Sequence, residues 1–321
     1  MKNINLIRRL LSLLLLCAAA AIFAAPPPDM NRKADFSVFA AAGSGYRFET
    51  LDFADKQGRP RHRVYIGIPA TPPPAQGFPA LFALDGNMPS ELLTAAQLRR
   101  LAETTPLVLV FIGQANDLRL DGNARSYDYT PPDAQGRSMP DALNPGRLNG
   151  GAADFLQLIN QHIRPAVAKR VPLNPHRQTL WGHSYGGLFV LYALLQQPDA
   201  FSQYIAADPA LWWQQGLLLQ QAQTAFRRPL DIPPHTRLWL LKSGRTERKT
   251  AADAARQQRI RAREQATATV SPAAAQQFAE RLAALPGLSV VQQTYPQHNH
   301  GSLLPASFYE ALTLAAGENR P

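Results

Sequence analysis

The chain predicts an α/β fold, a mostly parallel central sheet with helices on both faces. Three observations carry this. Short apolar runs alternate with helical patterns from residue 78 onward, which is the signature of strand–helix–strand crossovers. Two runs, 78–84 and 107–112, are apolar at almost every position, as in strands buried on both faces. Between residues 179 and 195 an apolar run, a glycine-rich turn and a second apolar run follow without a gap. That order is a strand, a tight turn and a helix.

The elements follow in order. Residues 46–53 alternate as a strand with one face in water, and 61–69, with Val64, Ile66 and Ile68 in step, form a second. Thr71-Pro72-Pro73-Pro74 is a turn. A buried strand is expected at 78–84 and a helix at 89–103, with Pro89 in its first turn. The strand at 107–112 leads into a long polar loop, 113–148. A helix at 149–170 carries Phe155, Ile159, Ile163 and Val167 at spacing four. After the glycine-rich turn come a strand at 201–207, a helix at 210–226, a strand at 237–241, a helix at 272–285, a strand at 288–295 and a helix at 302–315.

Composition bounds the rest. Of 321 residues, 45% are hydrophobic, enough for a packed core. Residues 1–25 read as a cleavable secretory signal. Lys2, Arg8 and Arg9 precede an apolar run, and Ala21-Ile22-Phe23-Ala24-Ala25 offers small residues for cleavage. The run is short for a membrane span, so no anchor is expected after cleavage and the mature protein is expected in the periplasm. Cys17, the single cysteine, lies within the signal, and Leu16 before it is bulky for lipoprotein processing. The mature chain therefore has no disulfide and no cysteine nucleophile. Residues 26–45 form a lead, and 46–321 a single domain with a polar, basic insertion near 244–271. The net charge of +10 favours an anionic ligand or surface. No basic block interleaved with aromatics suggests nucleic-acid binding.

The chemistry centres on Gly182-His183-Ser184-Tyr185-Gly186. A serine between glycines at a strand-to-helix bend is a nucleophile elbow, and strands and helices in this order match the α/β-hydrolase arrangement. A serine hydroxyl needs a base. In this arrangement an acid and then a histidine follow the serine. Gln297-His298-Asn299-His300-Gly301 lies after the last strand, and His300, next to the last helix, is the expected base, with His298 as the alternative. The first carboxylates after the strand at 237–241 are Glu247 and Asp253, and Glu247 is the expected acid. The oxyanion should meet the Tyr185 N–H and an N–H from Asp85-Gly86-Asn87, with Gly86 permitting the turn and Asn87 donating. Asp85 should pair or cap locally. The His298/His300 pair offers two ligands and no obvious third, so neither a metal nor an organic cofactor is expected.

Leu84-Asp85-Gly86-Asn87, Arg125 with Asp128-Tyr129-Thr130-Pro131, Gly150-Gly151, the 182–188 stretch, Asp208-Pro209-Ala210-Leu211-Trp212-Trp213 and His300-Gly301 together resemble the siderophore esterases. These enzymes cut the trilactone of enterobactin-like catecholate siderophores. The resemblance runs from about Tyr46 to the C-terminus. The wider family includes S-formylglutathione hydrolases, feruloyl esterases and mycolyltransferases. The resemblance implies an anionic catecholate substrate, with Arg125 near the site. Arg119, Arg137 and the basic residues of 245–263 could add charge assistance, and Trp212 and Trp213 could stack on catechol rings. A general carboxylesterase, a thioesterase, an acyltransferase of the same fold, and a non-catalytic siderophore-binding protein are the alternatives. The sequence leaves the oligomeric state open.

Overall fold

The computed structural model describes residues 32–317 except 56, 142, 143, 145, 246–260, 262 and 263. Among them lies one eight-stranded sheet. Its strands are β1 (Tyr46–Ala54), β2 (Pro60–Pro69), β3 (Phe78–Leu84), β4 (Val108–Gln114), β5 (Leu173–His183), β6 (Gln203–Ala207), β7 (Thr236–Ser243) and β8 (Leu288–Tyr295). The spatial order is β1-β2-β4-β3-β5-β6-β7-β8. The β1/β2 and β2/β4 pairs are antiparallel, and every later pair is parallel. This is the doubly covered parallel sheet expected from the alternating pattern.

Period-two alternation divides the core between the two faces of the sheet. Phe82, Leu84, Val110 and Leu180 pack on one face with Phe155, Ile159 and Phe189. Leu81, Ala83, Leu109, Phe111 and Trp181 pack on the other with Phe308 and Ala311. Each is fully or almost fully buried.

Helix boundaries are where the structure departs most from the pattern. The expected helix 89–103 splits into a 3₁₀ turn, Pro89–Leu92, and helix α1, Ala95–Thr104. Thr94 makes the break because it caps α1 reciprocally with Gln97, satisfying amides that would otherwise be orphaned. Within the expected long loop, Asp121 caps a short helix α2, Gly122–Asp128. The expected helix 149–170 is α3, which runs as Ala152–Leu158, a π turn Ile159–Ile163 and Arg164–Ala168. A spacing of four drifts around a 3.6-residue helix. The wider π turn offsets that drift, so Phe155, Ile159, Ile163 and Val167 all stay buried. Further α-helices are α4 (Tyr185–Gln196), α5 (Leu217–Ala225), α6 (Pro272–Ala283) and α7 (His300–Ala316). Among the described residues no helix is long and apolar enough to cross a membrane.

Candidate active site

Three side chains meet at the carboxyl ends of the strands. Ser184 stands between β5 and α4 with φ 60° and ψ −114°, a backbone conformation that most residues avoid. It is held there by Ser184 N–H donating to the Ala207 carbonyl (2.9 Å) and by Ala210 N–H donating to the Ser184 carbonyl (3.0 Å). Gly182 makes the bend possible, since a Cβ there would lie 2.4 Å from the Gly186 backbone. His300 opens α7, whose N-cap Asn299 closes a reciprocal cap with Ser302. His300 Nε2 lies 3.1 Å from Ser184 Oγ.

On the other side of the ring, His300 Nδ1 lies 3.2 Å from Asp208 Oδ2. Asp208 directly follows β6 at φ 39°. Its second oxygen accepts the Ser243 N–H at 2.8 Å. Burial works against its charge, but hydrogen bonds from His300 and Ser243 outweigh it and hold the carboxyl below the usual carboxylate range. The expected acid, Glu247, and its alternative Asp253 lie outside the described residues. The carboxylate that meets His300 comes from the strand next to the nucleophile, one strand earlier than expected. In sequence the sole sign of it is a carboxylate at the end of an apolar strand. His298 faces elsewhere, with Nδ1 3.2 Å from the Ser302 carbonyl and its ring against Tyr295.

The loop after β3 carries Asp85, Gly86 and Asn87. Asn87 is buried, and its side-chain amide donates to the carbonyls of Gln114 (3.3 Å), Asn116 (2.9 Å) and Leu118 (2.9 Å). Among the described residues its backbone N–H meets no acceptor. The Gly86 N–H donates to the Ile112 carbonyl at 2.9 Å, so Gly86 is not a donor to an oxyanion. Its role is close approach: a Cβ there would lie 2.5 Å from the Ile112 backbone. Tyr185 is the first residue of α4, which puts its N–H at a helix N-terminus beside the nucleophile.

Arg125, expected at the substrate, is paired with Asp85. Its Nε and Nη2 each donate to Asp85 at 2.9 Å, and its side chain is 16% exposed. Nη2 also reaches the His183 carbonyl at 3.5 Å. The guanidinium sits over the rings of Tyr129 (5.5 Å) and Tyr185 (5.6 Å). Asp85 is thus paired locally, as expected, and Arg125 is the partner. Asp85 also has a strained φ of 54°, and its N–H donates to Tyr129 Oη at 2.9 Å. One bidentate ion pair therefore ties the loop after β3 to α2, with the guanidinium also beside His183 and Tyr185.

The tryptophans divide. Trp213 is 3% exposed and belongs to the core, so it offers no face to a ligand. Trp212 is half-buried, with its ring 6.0 Å from that of Tyr185. Arg119 pairs with Glu91 and Arg137 with Asp133. Arg245 stays exposed beside the histidine loop, where its N–H donates to the His298 carbonyl at 3.0 Å. Most of the remaining basic residues of the insertion lie outside the described residues.

Comparison with known proteins agrees with this geometry. The Esterase family model matches residues 58–286. The apo-salmochelin esterase of Escherichia coli is 32% identical over 280 residues, covering 85% of this chain and 80% of that one. The ferri-bacillibactin esterase BesA of Bacillus subtilis is 36% identical over 173 residues, covering 50% of this chain and 57% of that one. The solved structure of the enterobactin and salmochelin hydrolase IroE superposes with a TM-score of 0.64 at 29% identity, covering 88% of this chain and all of that one. The family match spans every strand from β2 to β7 and the whole turn around Ser184. The chain therefore belongs to the Esterase family, beside the siderophore esterases and with their α/β-hydrolase fold, and is a hydrolase of ester bonds.

Proposed function

We propose that this protein is an exported serine esterase that opens the ester bonds of a catecholate siderophore trilactone. The observation that carries the reading is the Ser184–His300–Asp208 chain of contacts, in a protein similar to enzymes named for salmochelin, enterobactin and bacillibactin. Export rests on the basic, apolar and small-residue order of residues 1–25.

Ser184 Oγ attacks the ester carbonyl carbon while its proton passes to His300 Nε2. Asp208 accepts the Nδ1–H bond, which keeps the lone pair on Nε2 and stabilises the imidazolium that forms. The N–H groups of Asn87 and Tyr185 meet the negative charge on the carbonyl oxygen. As the tetrahedral intermediate collapses, the C–O bond to the leaving alcohol breaks and His300 returns the proton to that oxygen. A water then attacks the acyl-enzyme by the same route, giving free acid and restoring Ser184. Trp212 and Tyr185 supply the aromatic wall for the aryl groups, and Arg245 supplies positive charge at the rim.

The test is mass spectrometry of a catecholate trilactone, with and without iron, after incubation with the mature protein and its Ser184→Ala variant. Linear trimer, dimer or monomer from the wild type alone supports the reading. An intact trilactone, with a simple nitrophenyl ester cut, would remove the siderophore assignment and leave the esterase.

A further inference from the structure

His183 has no part in the mechanism above, yet it sits against its base. Its ring centroid lies 4.5 Å from that of His300, tilted by 42°. The side chain is 4% exposed, and its Nε2 has no hydrogen-bond partner among the described residues. The ring also hydrogen-bonds the His300 backbone. Buried polar atoms almost always find partners, and one left bare beside a reacting centre asks for a reason.

Among the described residues, one ligating atom each of His183, Asp208 and His300 lie within 4.8 Å of one another. Two imidazole nitrogens and one carboxylate oxygen suit a borderline transition metal, whereas magnesium and calcium prefer oxygen alone. A tetrahedral zinc site spaces its ligand atoms at roughly 3.3 Å, given metal–ligand bonds of about 2.0–2.1 Å. The Asp208–His300 pair already stands at 3.2 Å. Only the approach to His183 must tighten.

We infer that His183, Asp208 and His300 form an inhibitory site for a zinc-class divalent ion at the acid–base joint of the triad. The inference rests on the serine-esterase reading for its consequence, though not for the binding itself. The ion takes the Nδ1 lone pair of His300 and an oxygen of Asp208. The proton formerly on Nδ1 moves to Nε2, with none lost to solvent. Nε2 then presents an N–H to Ser184 Oγ and accepts no proton from it, so the serine loses its base.

The binding is tested with no reliance on catalysis. Zinc is titrated by calorimetry into the Ser184→Ala protein, then into the same protein carrying His183→Phe. One ion per chain is expected, with affinity reduced about tenfold or more by His183→Phe, the scale seen when even an outer partner of a metal ligand is removed. In the wild type, zinc should slow fluorophosphonate labelling of Ser184 by about tenfold or more, chelator should restore it, and magnesium should have no effect. Absence of binding, or equal binding after His183→Phe, overturns the site. So does labelling that zinc leaves unchanged. If the double variant does not fold, anomalous scattering from zinc-soaked Ser184→Ala crystals decides: a peak between the three side chains supports the site, and a peak elsewhere or none overturns it. Wild-type protein that takes no fluorophosphonate even without zinc would sink the esterase mechanism, and the calorimetry would still judge the metal site.

Discussion

Asp208, at the end of β6, lies 3.2 Å from Nδ1 of His300, which is 92 residues further along the chain. The two backbones that present Ser184 and Asp208 are themselves joined, because Ser184 N–H donates to Ala207, the residue before Asp208. Ser184 and Asp208 thus sit at the ends of adjacent parallel strands, both in strained conformations, and His300 reaches both from α7. Strain clustered in this way is stored where pre-organisation is needed.

Asp208→Asn should keep the fold and lower kcat by about 10³–10⁴-fold, because an amide stabilises the wrong imidazole tautomer. Steady-state kinetics on an aryl ester, with circular dichroism as a fold control, checks this. A loss below tenfold would return the acid role to the 246–260 stretch.

On the proposed mechanism, Arg125 acts through its ion pair with Asp85 in the loop after β3. Arg125→Met should lower kcat for neutral and anionic esters by similar factors and leave KM little changed. The alternative, direct contact with substrate, would raise KM selectively for anionic esters. Comparing a charged with an uncharged ester in one kinetic series separates the two.

Trp212 and Trp213 should behave as opposites. Trp213→Ala opens a cavity in the core and should destabilise the fold by about 3–5 kcal/mol. Trp212→Ala, at a half-buried ring, should cost clearly less stability than Trp213→Ala and raise KM for aryl esters more than for short aliphatic ones. Denaturant titration of both variants alongside KM values tests the division.

A second buried carboxylate predicts how stability depends on acid. Asp128 is 2% exposed and meets Arg61, His62 (2.9 Å) and Gln114 (2.9 Å). Burial alone would raise its pKa, but His62 and these other partners outweigh it and the net shift is downward. A depressed folded pKa means stability fully present above the unfolded value near 3.8 and lost as pH falls through the folded one. The wild type should therefore lose stability as pH drops below about 4, and Asp128→Asn should show a shallower loss over that window. Urea midpoints at several acidic pH values would show it, and equal slopes would refute it.

By itself the sequence determined the alternating α/β order, the elbow around Ser184 and the candidate base His300. Those signals are local: the period of the apolar residues, glycines where a bend needs them, and a position relative to the last strand. What the tertiary structure decided was which distant groups meet. The strand order β3-β5-β6-β7 brings Asp208 under His300, and no spacing rule along the chain announces that. The same holds for Arg125, whose guanidinium looked available for a ligand until Asp85, 40 residues away, was found to take it. Neighbouring Trp212 and Trp213 read alike in sequence, and only the depth of burial separates a half-buried candidate wall of the site from a fully buried buttress beneath it. A residue's chemistry is written in its type, but its partner is set by the sheet that folds around it.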